Sequence, residues 1–111
     1  MINVPNSVEL LRKQIEETLS LRPELVEKTK NEEELLGLIE QLVEELINHD
    51  FEKLLLILYR LDVNEAKVKK AIDDSGPQLA SRRIAELILA REKAKIHTRE
   101  KYNTGETDWE F

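Results

Sequence analysis

The sequence predicts an all-α protein, a single-domain bundle of four or five helices followed by a disordered or loosely docked C-terminal tail. Only three Gly and three Pro occur in 111 residues, and residues of high helix propensity, chiefly Leu, Glu, Lys and Ala, dominate the remainder. Apolar residues recur every three or four positions, and the period of two that marks a half-buried strand is absent. A chain of this length buries roughly two-thirds of its unfolded surface, so it folds without disulfide bonds.

The first two elements are delimited by a capping signal and by a proline. Asn6 and Glu9 have the spacing of a capping box, so we expect the first helix to begin at residue 6 or 7. The residue before Pro23 is pushed out of the helical region, which ends this helix near Arg22. Pro23 is expected to start a short turn that extends through Lys28.

The third element is the clearest helix in the chain. Asn31 is followed by three acidic residues at 32–34, which repeats the capping-box signal and places negative charge at the positive end of the helix dipole. From Leu35 to Ile47 the apolar side chains keep a period of 3.6 residues, with polar side chains opposite. We therefore expect one face of this helix to pack and the other to be solvated.

The fourth element, Phe51–Leu61, has almost no polar face, and Asp50 is expected to cap it. A helix that is apolar all round must be surrounded by other helices or by a partner. We therefore expect this helix to lie at the centre of the bundle, together with the elements at 33–47 and 77–96.

The remaining chain predicts a short helix and a long one. Asn64 caps the short helix, and a turn at 73–76 precedes Pro77, which suits the first position of the long helix. The core stripe of the long helix consists of Ala80, Ile84, Leu87 and Ile88. From about Thr98 the chain is polar, so we assign the helical domain to residues 1–97 and the tail to 98–111.

A second, thinner apolar stripe on the long helix comprises Ala85, Leu89 and Ile96. A monomer of this size would not obviously cover it, and contiguous exposed apolar surface usually marks a contact site. We therefore expect two copies to pair through this stripe as a homodimer, with Arg82, Lys93 or Arg99 reaching acidic side chains on the other copy.

Composition excludes several classes of protein. With no Cys, thiolate catalysis, disulfide chemistry and sulfur-ligated metal sites are excluded, and a reducing cytoplasm is the expected location. The N-terminal residues lack the features of a secretory signal. The apolar run near residue 56 is about ten residues long, well short of the roughly 20 that cross a membrane, so no membrane association is expected.

The net charge of −6 is unevenly distributed, since residues 77–101 carry 7 basic and 3 acidic side chains. Binding of nucleic acid by the whole surface is therefore not expected, because neutralising phosphates requires a coherent basic footprint.

The segment from Asn48 through Leu55, continued from Leu58 to Val63, resembles small uncharacterised all-helical bacterial proteins. The resemblance covers about the middle third of the chain. It implies an independent helical domain and carries no information about catalysis.

Candidate catalytic residues all have a simpler structural interpretation. His49-Asp50 is the pair that would suit a metal phosphohydrolase, yet such a site needs more ligands, and His97 is the only other histidine. The acidic pairs at 16–17, 44–45 and 73–74 are expected to be solvated, and no Glu-x-x-His of a di-metal bundle occurs. We expect no catalytic, cofactor-binding or metal-binding residues, and a protein that is not an enzyme.

Residues 54–73 partly match a helix-turn-helix. The apolar offsets of that motif are occupied by Ile57, Leu61, Val63, Val68 and Ala71. Leu58 and Asp62 depart from it, because a small residue and a glycine are usual there. The second helix also mixes Lys with Glu and Asp, which a phosphate backbone would partly repel. A DNA-binding regulator is therefore the alternative function.

The remaining candidate contact residues lie near the C-terminus. Arg82 and Arg83 belong to a basic face without aromatic side chains, so we do not expect it to stack on single-stranded nucleic acid. Trp109 and Phe111 end the chain among acids, either as a frayed tail or as an anchor for a groove. The preferred interpretation is a non-enzymatic interaction or adaptor module that binds a protein or itself, with candidate contacts at Leu89, Ile96, Arg82, Arg83, Trp109 and Phe111.

Overall fold

The computed structural model describes residues 7–103, and within them every regular element is a helix. The all-α prediction is confirmed. The helices are α1 (Ser7–Thr18), α2 (Pro23–Glu27), α3 (Glu32–His49), α4 (Phe51–Leu61) and α5 (Glu65–Asn103). Gly76 breaks α5 with φ 75° and ψ 168°, so its two parts are termed α5a (65–75) and α5b (77–103). Helix α5b continues to Asn103, past the boundary expected at residue 98, and residues 104–111 lie outside the described part.

Side-chain caps begin three of these helices where the sequence predicts them. Asn31 Oδ1 accepts from the Glu34 backbone N–H at 2.9 Å, and Asp50 Oδ1 accepts from that of Lys53 at 3.2 Å. Asn64 Oδ1 accepts from the Lys67 backbone N–H at 3.0 Å. Each bond satisfies a donor that the first helical turn leaves unpaired, so the three predicted helix starts are confirmed.

Helices α3 and α5 form the centre of the molecule and make the most extensive contact between elements. Leu35, Ile39 and Val43 of α3 are fully buried, as is Ile84 of α5b. Ion pairs join the same two helices, since Lys93 Nζ lies 3.0 Å from a Glu32 carboxylate oxygen and Arg82 contacts both Glu33 and Glu40. Buried apolar side chains and surface ion pairs therefore both connect α3 to α5b.

Helix α1 covers another side of α5b. Leu11 and Ile15 are buried in the common core, and Gln14 Nε2 donates to Glu92 Oε1 at 2.8 Å. This layer overturns the expected second stripe, because Ala85 is fully buried and Leu89 is only 6% exposed, while Ile96 is partly buried against the core. The long helix carries two apolar stripes because two helices pack on it, so Leu89 is a core residue.

The expectation that α4 lies at the centre is wrong. Its buried side chains are Leu54, Leu58 and Leu61, whereas Leu55 and Leu56 are exposed. Helix α4 contacts α3 and α5 along one side, and no further helix among the described residues covers the opposite side. The apolar outer face of α4 is therefore part of the molecular surface and not of the core. No helix in residues 7–103 combines the length and the apolar character needed to cross a membrane.

Candidate protein-binding groove

An apolar groove of about 580 Å³ lies between α4 and α5a. Leu58 and Val68 form part of its buried wall, while Leu55, Leu56 and Tyr59 stand on its outer side. Val63 lines it at the turn between the helices, and Glu52 and Glu65 supply the polar groups of its lining. The groove is therefore apolar, with acidic side chains at its border.

The outer side chains of α4 are unusually exposed for their type. Leu56 is 65% exposed and Tyr59 is 83% exposed, and Phe51 and Leu55 are also classed as exposed. Isolated apolar residues on a surface need no explanation, but a contiguous patch beside a groove marks a contact site. Tyrosine is also among the residues that contribute most to protein interfaces.

Local sequence fixes the geometry of the groove. Helix α4 ends in a Schellman arrangement, in which the Val63 N–H donates to Leu58 O at 3.0 Å and the Asp62 N–H to Tyr59 O at 3.1 Å. Asp62 adopts the left-handed conformation that this arrangement requires, and its carboxylate lies 3.1 Å from Arg91 Nη2. A surface ion pair thus joins the turn to α5b, while Leu58 and Val68 on the two helices that line the groove are buried in the core.

Three charged side chains lie on the exposed part of α4, and one of them, Glu52, lines the groove. Glu52, Lys53 and Arg60 are all exposed, and within residues 7–103 none of the three forms an ion pair. Glu52 lies four residues before Leu56, and Arg60 lies four residues after it. Since positions four apart share a helix face, Leu56 has a negative charge on one side and a positive charge on the other.

Arg82, by contrast, is committed to contacts within the chain. Its guanidinium lies 2.7 Å from a Glu33 carboxylate oxygen and 3.3 Å from one of Glu40. These hydrogen bonds, that to Glu33 first, raise the pKa of the guanidinium above its ordinary value. Arg83 is exposed and lines a shallow hollow together with Lys67 and Lys70. The two arginines that the sequence grouped together therefore have different environments.

The structure does not bring the predicted contact residues together. Leu89 and Ile96 face the core, Arg82 pairs with α3, and Trp109 and Phe111 lie outside the described residues. The groove residues Leu56 and Tyr59 were missed as contacts, because their surroundings were expected to be helices. The available signal was the apolar character of α4 on all sides. A helix of only eleven residues that is apolar all round can be covered by a partner instead of by other helices of the same chain.

Sequence reasoning also missed the buried carboxylate of Glu92. This residue is 0% exposed, accepts from Gln14 as described, and its Oε2 lies 2.9 Å from Lys95 Nζ. The spacing from Ala85 and Leu89 to Ile96 places Glu92 on the stripe that faces α1, and this spacing was the available signal. Two polar partners satisfy the carboxylate, so its role is to join α1 to α5b.

The described residues hold no group of three or more His, Asp or Glu side chains that could bind a metal ion. His49 is exposed at the last position of α3, directly before the capping residue Asp50. No protein-family model matches the chain, and comparisons with curated proteins and with solved structures also find no match.

Proposed function

We propose that this protein is a non-enzymatic, cytoplasmic interaction module that binds a protein through the groove between α4 and α5a. One observation supports this proposal above all others: Leu55, Leu56 and Tyr59 point outward beside a groove, on a helix whose Leu54 and Leu58 already supply the packing. Since the core does not need these side chains, their exposure is explained by a partner that covers them.

The chemistry of the groove defines the kind of partner. An amphipathic helix that lays its apolar face into an apolar groove is a recurrent mode of recognition. Covering Leu56 and Tyr59 removes apolar area from water, worth about 25 cal/mol for each Å². The charged groups at the border, Glu52 and Glu65, then set the orientation of the partner more than the affinity.

A photocrosslinking amino acid tests this proposal in cells. We expect a photoreactive phenylalanine analogue at Leu56 to form covalent protein adducts, because this position is in contact with the partner. The matched control carries the same analogue at Glu45, which is exposed on α3 and distant in sequence from the groove. Mass spectrometry identifies each adduct. Equal labelling at both positions, or none at Leu56, would contradict the proposal.

A helix-turn-helix DNA-binding regulator is the second candidate. It is favoured by the short turn between α4 and α5a and by the hollow where Lys67, Lys70 and Arg83 meet. The same region also contains Glu86, and Lys70 lies 3.3 Å from Asp74 as an ion pair, both of which weaken a footprint for phosphates.

Fluorescence anisotropy with duplex DNA separates the two candidates. At about 50 mM salt a DNA-binding domain of this kind shows micromolar or tighter non-specific binding. We expect no such binding, and no difference between the parent and Lys67→Glu/Arg83→Glu. Binding that this double variant abolishes would favour the DNA-binding function instead.

A further inference from the structure

We infer that the partner on this groove is an amphipathic helix of another protein that carries basic side chains at both ends of its apolar face. This inference rests on the proposed function, since it gives the chemistry of the partner at the same groove. The charge of the lining carries it. Among the described residues that line the groove, the charged ones are Glu52 and Glu65, and all the others are Leu, Tyr or Val.

Both carboxylates are available to a partner. Glu52 and Glu65 are exposed, and neither forms an ion pair within residues 7–103. Lys69 lies four residues after Glu65, yet it does not pair with it and does not line the groove. By contrast, Glu32 and Glu33 of α3 contact basic side chains of α5b at 3.0 and 2.7 Å. The groove therefore presents two carboxylates that no basic side chain of the described residues pairs.

The basic side chains of α4 lie on the side of Leu56 that faces away from the groove. With about 3.6 residues per helical turn, Tyr59 lies on the same side of Leu56 as Glu52. Lys53 and Arg60 lie on the other side of Leu56, and neither lines the groove. A partner that enters the groove therefore meets negative charge on α4.

The two carboxylates lie toward opposite ends of α4. Glu52 is in its first turn, whereas Glu65 begins α5a directly after the turn that follows Leu61. At about 1.5 Å per residue, α4 rises about 14 Å from Glu52 to Leu61. A helix that lies along the groove covers this length in about nine residues. Basic residues roughly two and a half turns apart on such a helix therefore reach the two carboxylates, and the apolar face between them covers Leu56.

The C-terminal segment of this chain does not have the required charge. Residues 104–111 contain Glu106, Asp108 and Glu110 and no basic side chain. Placing this segment beside Glu52 and Glu65 would oppose like charges, which is unfavourable at an interface. A basic helix of another protein therefore suits the groove better than residues 104–111.

Selection from a peptide library tests the inference with the full chain. The displayed peptides have about 20 residues, long enough to form a helix, with leucine at every third or fourth position and all other positions randomised. Against the parent we expect enrichment of Lys and Arg at two positions about nine residues apart. Against Glu52→Lys/Glu65→Lys we expect Asp and Glu at the same positions, because the charges of the groove are then reversed.

A selected peptide then measures the contribution of each carboxylate by titration calorimetry. Glu52→Gln and Glu65→Gln should each weaken its binding about two- to fivefold, the usual worth of one exposed ion pair. Glu45→Gln on α3 removes the same charge away from the groove, and Lys53→Gln removes a charge on the other side of α4. Neither control should weaken the binding. All four positions are exposed, so circular dichroism melts confirm that each variant is folded.

Leu56→Asp shows whether a selected peptide occupies the groove, because such a peptide loses affinity in this variant. Peptides that depend on Leu56 but show no preference for basic residues would overturn the inference and leave the proposed function intact. A parent that selects no peptide, or only peptides insensitive to Leu56→Asp, would also overturn the inference. The crosslinking experiment at Leu56 then decides the proposed function separately.

The same variants detect the other occupants of the groove. Peptide binding that appears only in a chain ending at residue 103 would show that residues 104–111 occupy the groove. Self-association of the parent that Leu56→Asp abolishes would show that a second copy occupies it. Either result would overturn the inference of a basic helix from another protein.

Discussion

Among residues 7–103, three single positions with positive φ determine how the helices end and turn. Only one of them, Gly76, is a glycine; Ser20 has φ 53° and Asp62 has φ 62°. A residue with a Cβ atom pays about 1–2 kcal/mol for the left-handed region. Ser20 and Asp62 therefore each hold local strain that the hydrogen bonds at the helix ends offset.

Ser20→Gly should raise the free energy of unfolding by about 1 kcal/mol, because glycine relieves this strain at an exposed position. The Leu21 N–H to Glu16 O bond at 3.1 Å that closes the turn is retained. Urea denaturation measures the change. Ser20→Ala is the matched control, since it removes the hydroxyl and keeps the Cβ. An equal gain in both variants would show that the strain is not the cause.

Asp62→Gly should gain less than Ser20→Gly, because it also removes the ion pair with Arg91. Asp62→Asn separates the two effects, since asparagine tolerates the left-handed conformation and loses only the charge. Its unfolding free energy should fall by no more than about 1 kcal/mol, the usual upper worth of an exposed pair. A larger loss in urea denaturation would mean that the turn depends on Arg91.

The buried contact between Gln14 and Glu92 gives a further prediction at this scale. Gln14→Leu should lower the free energy of unfolding by about 1–3 kcal/mol, because it removes the neutral donor to a fully buried carboxylate. Adding Glu92→Leu should restore part of that loss, since no buried oxygen then lacks its donor. Denaturation of the single and double variants measures the coupling. Additive losses would contradict it.

At the scale of elements, α4 has two apolar faces with different roles. Leu54, Leu58 and Leu61 anchor it to α3 and α5a, and Leu56 and Tyr59 lie on the face that no described helix covers. The helix is positioned by its Asp50 cap and by the Schellman turn at Asp62, both local features. An apolar surface can thus persist on a stable element because the opposite face provides the packing.

Two alanine substitutions on α4 should differ sharply. Leu58→Ala should cost about 2–5 kcal/mol of unfolding free energy, as large-to-small changes in a core do. Leu56→Ala should change it by about 0.5 kcal/mol or less, which is usual at an exposed site. Both are measured near 1 μM, where self-association does not contribute. Similar losses would place Leu56 in the core, where the sequence alone had placed it.

At the scale of the whole molecule, α5b is the helix on which the bundle is built. Helix α3 packs along it with buried apolar side chains, and α1 covers a further side around Glu92. Arg82 and Lys93 connect α5b to α3 by ion pairs at its surface. Stability is therefore concentrated in α3 and α5b, while α2 and α4 contact the rest on fewer sides.

Native-state hydrogen exchange should show this unequal distribution. Backbone amides around Ile39, Val43, Ile84 and Ile88 should exchange only through global unfolding, because these residues are buried at the centre. Amides of the five-residue helix α2 should exchange through smaller openings, with those of α4 between the two. Protection in α4 equal to that in α3 would contradict the peripheral position of α4.

The class of fold and most helix boundaries were predictable from the order of residues along the chain. The caps at Asn31, Asp50 and Asn64 were predictable because each bond spans only three residues, and Pro23 is similarly local. The period of α3 also identified its buried face correctly. Such features depend on neighbours along the chain, which a sequence displays directly.

Which apolar faces are covered was not predictable in this way. Leu89 and Leu56 both lie on apolar stretches of the sequence. Helix α1 packs on the part of α5b that contains Leu89, whereas no helix within residues 7–103 covers Leu56. Burial depends on where distant helices dock, and that is fixed by the sum of many weak long-range contacts rather than by spacing along one helix. The candidate binding surface therefore became visible only when α1 and α4 had each been placed against α5.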